Sequence, residues 1–156
     1  MKHLQISSRQ KTRKINLPRL RRIALHLLGP LLSQDQFNLA VHLVDQTEMT
    51  GINERFLQHS GSTDVITFDY GNGGPHKALE GEIFISIDDA ILHATRFRTQ
   101  WHEETVRYLV HGVLHLLKFD DQTPALRRVM KGRETRLLRA LARSFPLVQI
   151  EKSLNP

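Results

Sequence analysis

The sequence predicts an α+β fold: a small, mostly four-stranded mixed sheet packed against about five helices. Three observations predict it. Every strand-like segment falls in the first ninety residues. The chain then finishes in three successive helical patterns. Its 156 residues suffice for one domain and not for two of ordinary size, so residues 1–156 are read as a single domain.

Each element has its own signal. Leu4 and Ile6 alternate with polar neighbours, a short strand. Asn16 followed by Pro18 opens a helix, with Leu20, Ile23, Ala24, Leu27, Leu28 and Leu31 at helical spacing, so an amphipathic helix is expected over 17–32. Phe37, Leu39, Val41 and Leu43 alternate strictly, a strand. Thr47 is placed as the cap of a short helix reaching about Gln58. Val65 to Phe68 is β-branched and aromatic, the next strand. Gly71 to Pro75 holds three Gly and one Pro and reads as a loop. Ile83, Phe84, Ile85 and Ile87 form a strand apolar on both faces, hence central. Ser86 with Asp89 resembles a capping box for a helix from about Asp88 to Arg98. A further helix runs from about Trp101 to Leu117, and Thr123-Pro124 opens the last.

Composition narrows the function classes. Apolar residues make up 40% and charged residues 24%, ordinary globular usage that sets aside long disorder and collagen. The chain has no cysteine, which excludes a disulfide scaffold, a cysteine zinc finger and a thiol nucleophile and fits a reducing cytoplasm. The longest charge-free apolar stretch, Ile23 to Gln34, is far short of the roughly 20 residues that span a bilayer. It is also broken by His26 and Gly29-Pro30, so neither a membrane partner nor a cleaved signal is expected.

The net charge is +6, and its distribution is uneven. Residues 1–34 carry eight positive charges and no negative one, while the remaining 122 residues sum to −2. Such an acid-free run suits a polyanion, and nucleic acid is the commonest one. A second basic run, Arg127, Arg128, Lys131, Arg133, Arg136, Arg139 and Arg143, is relieved only by Glu134. For this run a solvated helix face is the simpler reading, because Arg and Lys are good helix formers on any surface.

The chemistry sits in His111-Gly-Val-Leu-His115-Leu-Leu-Lys-Phe-Asp120-Asp121. Histidines four apart on a helix put both imidazoles on one face, where they can grip one Zn²⁺ at about 2.0–2.1 Å each. The helix must end before Thr123-Pro124, and the tight reversal can swing Asp120 or Asp121 back over that face. A carboxylate there completes three protein ligands and leaves a fourth position open, the pattern of a catalytic ion. A metalloprotease would carry its general base, Glu, directly after the first His. Gly112 stands there, which argues against that chemistry. Asp120, Glu104 and Glu82 are the carboxylates available as a general base, and the sequence singles out none of them.

At these residues the chain resembles the YbeY family of bacterial zinc-dependent endoribonucleases and rRNA maturation factors. The family pattern, His-Gly-x-Leu-His-Leu-x-Gly-aromatic-Asp-His, is matched at His111, Gly112, Leu114, His115, Leu116, Phe119 and Asp120. Lys118 replaces the usual Gly, and Asp121 stands in place of the third His ligand. Asn53 with Phe56, Thr63-Asp64-Val65 with Phe68, Gly81-Glu82-Ile83, and Met130 with Glu134 are similar to further family segments, so the resemblance covers roughly residues 37–140. Leu57 stands where many members have an Arg thought to act on RNA.

The resemblance implies a cytoplasmic, single-strand-specific endoribonuclease that processes 16S rRNA ends in ribosome biogenesis, with rRNA or a ribosomal subunit as partner. It implies one zinc ion per chain, held by His111, His115 and Asp121, since Asp is a competent zinc ligand. The alternative is a non-catalytic rRNA-binding assembly factor whose metal is structural.

Overall fold

In the computed structural model the structure describes residues 1–71 and 78–152. The elements follow the predicted order. They are β1 (Lys2–Ser8), α1 (Leu17–His26), β2 (Phe37–Val44), α2 (Gln46–Phe56), β3 (Val65–Asp69), β4 (Leu79–Ser86), α3 (Ile87–Phe97), α4 (Trp101–Leu116) and α5 (Pro124–Ser144). Most of the predicted Gly71–Pro75 loop lies outside the described residues.

The sheet order is β1-β2-β4-β3. β1, β2 and β4 run parallel, and β3 pairs antiparallel with β4. The apolar run at Ile83–Ile85 therefore occupies an interior strand, as its two-faced burial requires. The alternation in β2 sorts its side chains. Leu39, Val41 and Leu43 join the main core under the helices. On the other face Val44 joins Met49, Ile66 and Phe84 in a smaller cluster.

Three local expectations are corrected. The α2 cap is Asp45, whose carboxylate accepts from the Glu48 amide at 2.8 Å, and not Thr47, which lies inside the helix. Asp45 wins because it directly follows the strand, so the chain turns two residues earlier. Ile87 is the first residue of α3 rather than the end of β4, because Ser86 Oγ accepts from the Asp89 amide and closes the strand there. The helix expected over 17–32 ends its α-geometry at His26 and continues as a π-helical turn, Leu27–Leu31. Pro30 lies inside that turn, and its lack of an amide explains why the α-ladder does not continue.

α4 is the central helix, buried from Thr105 to Leu116 along most of its length. Two glycines set its distance from the sheet. A Cβ on Gly112 would lie 2.8 Å from Ile83 Cγ2, so the helix rests directly on β4. On β4 itself, a Cβ on Gly81 would lie 2.4 Å from the Phe68 carbonyl oxygen and 2.7 Å from Leu116 Cδ2. The first obstacle is backbone and cannot rotate away. Gly81→Ala should therefore cost about 2–3 kcal/mol by overpacking. At roughly 2–4 °C per kcal/mol for a chain of this size, a thermal melt should fall by about 5–10 °C. An unchanged melting temperature would show that β3 can move aside.

Candidate metal centre

The end of α4 builds the site. His111 and His115 lie one turn apart, their rings T-shaped with centroids 4.6 Å apart. The helix then closes with a Schellman motif. The Phe119 amide donates to the Leu114 carbonyl at 3.0 Å and the Lys118 amide to the His115 carbonyl at 2.9 Å. Lys118 takes the left-handed conformation the motif requires, φ 75°, where glycine is the unstrained choice. Its ammonium pairs with the Asp69 carboxylate on β3. Thr123 caps α5 by accepting from the Leu126 amide. The reversal between these two caps turns the chain back over the histidine face.

That reversal brings in Asp121. Its Oδ2 lies 3.8 Å from His111 Nε2 and 3.6 Å from His115 Nε2, and the two nitrogens are 3.0 Å apart. All three donor atoms lie within 4.8 Å of one another, so the group could hold a metal ion. A tetrahedral ion with ligands at about 2.0–2.1 Å would set its donors about 3.3 Å apart, which the three observed separations bracket. The donor chemistry fits as well: two imidazoles and one carboxylate suit a borderline divalent cation. Asp120 points elsewhere and is exposed, its Oδ1 accepting from the Gln122 amide at 3.0 Å.

A fourth residue holds the arrangement. Glu134 on α5 is only 6% exposed, and its Oε2 lies 3.1 Å from His111 Nδ1. Nδ1–H donating to that carboxylate directs the lone pair of Nε2 towards His115 and Asp121. Burial alone would lower the pKa of His111. The Glu134 carboxylate, with Asp121 and Asp64, outweighs burial and holds the imidazole above the ordinary histidine value. Glu134 was visible in the sequence as the lone acid in a basic run, and the ionic partner it requires in the interior is His111.

A cavity of about 410 Å³ opens beside this group, lined by His111 and Asp121 and reaching Glu104 two turns earlier on α4. Arg127 and Lys131 also line it. The second basic run is thus not uniformly a solvated face, since two of its members look onto the site. A smaller cavity of about 310 Å³ on the other side is lined by His111, His115, Asp69 and Leu57. Of the other carboxylates considered as a base, Glu82 lies on the opposite side of the sheet. It pairs with His42 Nε2 at 2.7 Å and accepts from the Tyr70 hydroxyl at 2.9 Å.

A family model described as Endoribonuclease YbeY matches residues 5–142 of this chain. The chain belongs to the YbeY family. Among relatives named Endoribonuclease YbeY, that of Parabacteroides distasonis is 40% identical over 90 residues, covering 58% of this chain and 61% of the relative. That of Chlorobium phaeovibrioides is 41% identical, covering 60% of this chain and 61% of the relative. These matches thus span about three fifths of the relatives' length. The Salinibacter ruber member is 29% identical over 88% of this chain and 91% of its own. The fold is also that of a Thermotoga maritima protein known from a solution structure, with TM-score 0.67, 19% identity and 97% coverage of both chains.

The YbeY match begins well before residue 37, so β1 and α1 belong to the family unit as well. The family-like segments converge in space. Asn53 is buried and donates to the Gly61 carbonyl at 2.9 Å, fixing the loop that leads to Asp64 and β3. Gly81 and Gly112 are the two close approaches that set α4 on the sheet, and with it the histidine pair. Gly112 also explains structurally why no metalloprotease base can sit after His111: Ile83 occupies that space.

Proposed function

We propose that this chain is a zinc-dependent, single-strand-specific endoribonuclease of the cytoplasm, acting in 16S rRNA end maturation and ribosome biogenesis. The observation that carries the reading is the convergence of His111, His115 and Asp121 beside a cavity whose lining includes exposed cations. The family relatives' name supplies the reaction class, and the basic surface suits the polyanionic substrate. No helix among the described residues is long and apolar enough to cross a membrane.

In this reading His111, His115 and Asp121 hold one zinc ion. When bound, the ion supplies Lewis-acid polarisation of a phosphoryl oxygen and acidifies water. The protein's own part is orientation and charge. Glu134 keeps His111 in the tautomer that presents Nε2. Arg127 and Lys131 attract the phosphates and hold the strand across the site. The test is metal analysis of freshly purified protein together with cleavage of single-stranded and duplex RNA. One zinc per chain and preferential cutting of single strands are expected. Metal-free protein that cuts at full rate would refute the proposal.

The N-terminal charge also divides by role. Arg21 donates to the Leu4 carbonyl, so that guanidinium ties α1 to β1 and is part of the fold. Arg22 is exposed and Arg19 half-buried, and neither pairs with an acid among the described residues. Charge reversal of Arg19 and Arg22 together should weaken binding to many RNA sequences alike. The slope of log affinity against log salt should change by about 0.7 for each phosphate the variant no longer neutralises. Unchanged affinity and slope would assign these arginines to solvation alone and leave RNA binding to the α5 side.

A further inference from the structure

The cavity beside the histidine pair extends well past it. Glu104 lies seven residues before His111, about 10 Å along α4. At that far end two features meet. The Phe97 ring at the end of α3 lines the cavity and is 61% exposed, so part of the ring is open to a ligand. Glu104 lines it too and is only 6% exposed. One of its carboxylate oxygens accepts from Thr99 Oγ1 at 2.8 Å, and no cation pairs with it among the described residues. Arg107, Arg127 and Lys131 also line the cavity, and none of them has an acidic side-chain partner within the described residues; Arg127 stands at the Asp121 end, where its guanidinium donates to the Asp121 carbonyl at 3.2 Å.

These features suit different parts of one ligand. A buried carboxylate with spare acceptor capacity calls for N–H donors. An exposed aromatic face calls for a flat ring. Cations without an acidic partner call for phosphate. An unstacked nucleotide carries all three. The volume, about 410 Å³, lies within the usual range for a small-molecule site.

We propose that this cavity is a nucleotide subsite, in which one splayed base of a single-stranded RNA stacks on Phe97 and offers its amino-bearing edge to Glu104, while its phosphate lies towards His111 and Asp121. The subsite rests on the reading of the protein as an RNA nuclease and adds a base preference to it. Guanine presents two adjacent N–H donors, on N1 and N2, to a carboxylate, and uracil presents one. Guanosine is therefore favoured over uridine at one position near the scissile bond. The phosphate contacts impose no such preference.

The test measures kcat/KM of metal-loaded protein on oligouridine hexamers carrying one guanosine, or one abasic residue, moved through the sequence. The readout is a ratio between substrates, so a general loss of rate in a variant cancels. Wild-type protein should favour uridine over the abasic residue at one position by about tenfold, the scale of one base–aromatic stack, and should favour guanosine over uridine at that same position. Phe97→Ala should bring the uridine-over-abasic ratio close to one. Glu104→Gln should keep the uridine-over-abasic ratio but erase the preference for guanosine over uridine. An equal ratio at every position in wild type, or Phe97→Ala with an unchanged ratio, overturns the subsite while leaving the nuclease reading intact. Wild-type protein that cuts none of these RNAs overturns both.

Discussion

His115→Ala should bind zinc at least about 100-fold more weakly than the parent, and RNA cleavage should fall with it. Loss of a residue that only orients a ligand already costs roughly 10–100-fold in affinity, and loss of a ligand should cost no less. The imidazole is about one third exposed, so its removal leaves a small surface notch rather than a core cavity. The folded protein should therefore survive, and metal analysis can separate ligand loss from unfolding. The same experiment distinguishes the two aspartates. Asp121→Ala should strip the metal, because Asp121 Oδ2 is the atom that faces both imidazole nitrogens. Asp120→Ala should keep it and lose only a hydrogen bond to the Gln122 amide, worth about 1 kcal/mol. Asp121→His should retain metal. If Asp120→Ala strips the metal and Asp121→Ala does not, the assignment is reversed.

The features legible in the sequence were those with local causes. The histidine pair needed only the helical period, and the return of an aspartate, Asp120 or Asp121, needed only a helix stop followed by Thr123-Pro124; the choice of Asp121 between them came from the family resemblance. The element order came from strand and helix periodicities, and the capping pattern at Ser86 lay within four residues. The features that stayed hidden depend on contacts between elements. Glu134 meets His111 across 23 residues of sequence, and nothing in the α5 pattern says which turn of α4 it faces. Arg127 and Lys131 look the same as their solvated neighbours until α5 is packed beside the reversal. Phe97 reads as an ordinary helix-end apolar residue, and only the packing of α3 on α4 turns it towards the cavity. The departure at Lys118 is explained by packing too, since its pairing with Asp69 compensates in part for the left-handed backbone that glycine would adopt freely.

Glu134→Gln should weaken zinc binding by about 10–100-fold without removing a ligand. A merely structural loss would not also change the pH course, and here a change of definite sign is expected. The folded-state pKa of His111 lies above the ordinary histidine value once Glu134, Asp121 and Asp64 outweigh burial. A group raised on folding stabilises the native state fully below its unfolded pKa, about 6.5, and loses that contribution as pH rises through the folded value. The metal-free protein should therefore lose stability as pH rises through the window just above 6.5. Zinc requires the neutral imidazole, so proton and metal compete at His111, and zinc affinity should rise across the same window. The gap in melting temperature between zinc-loaded and metal-free protein should widen with pH. Gln keeps the side-chain length and can still accept from Nδ1–H, but it removes the charge that raises the His111 pKa. In Glu134→Gln the window should move towards lower pH, and the zinc affinity should be weaker on its alkaline side as well. Melting curves at several pH values, with and without zinc, compare each variant with the parent, so the other titrating groups cancel. A variant with parental zinc affinity and a parental pH course would show that the carboxylate neither orients nor charges the histidine.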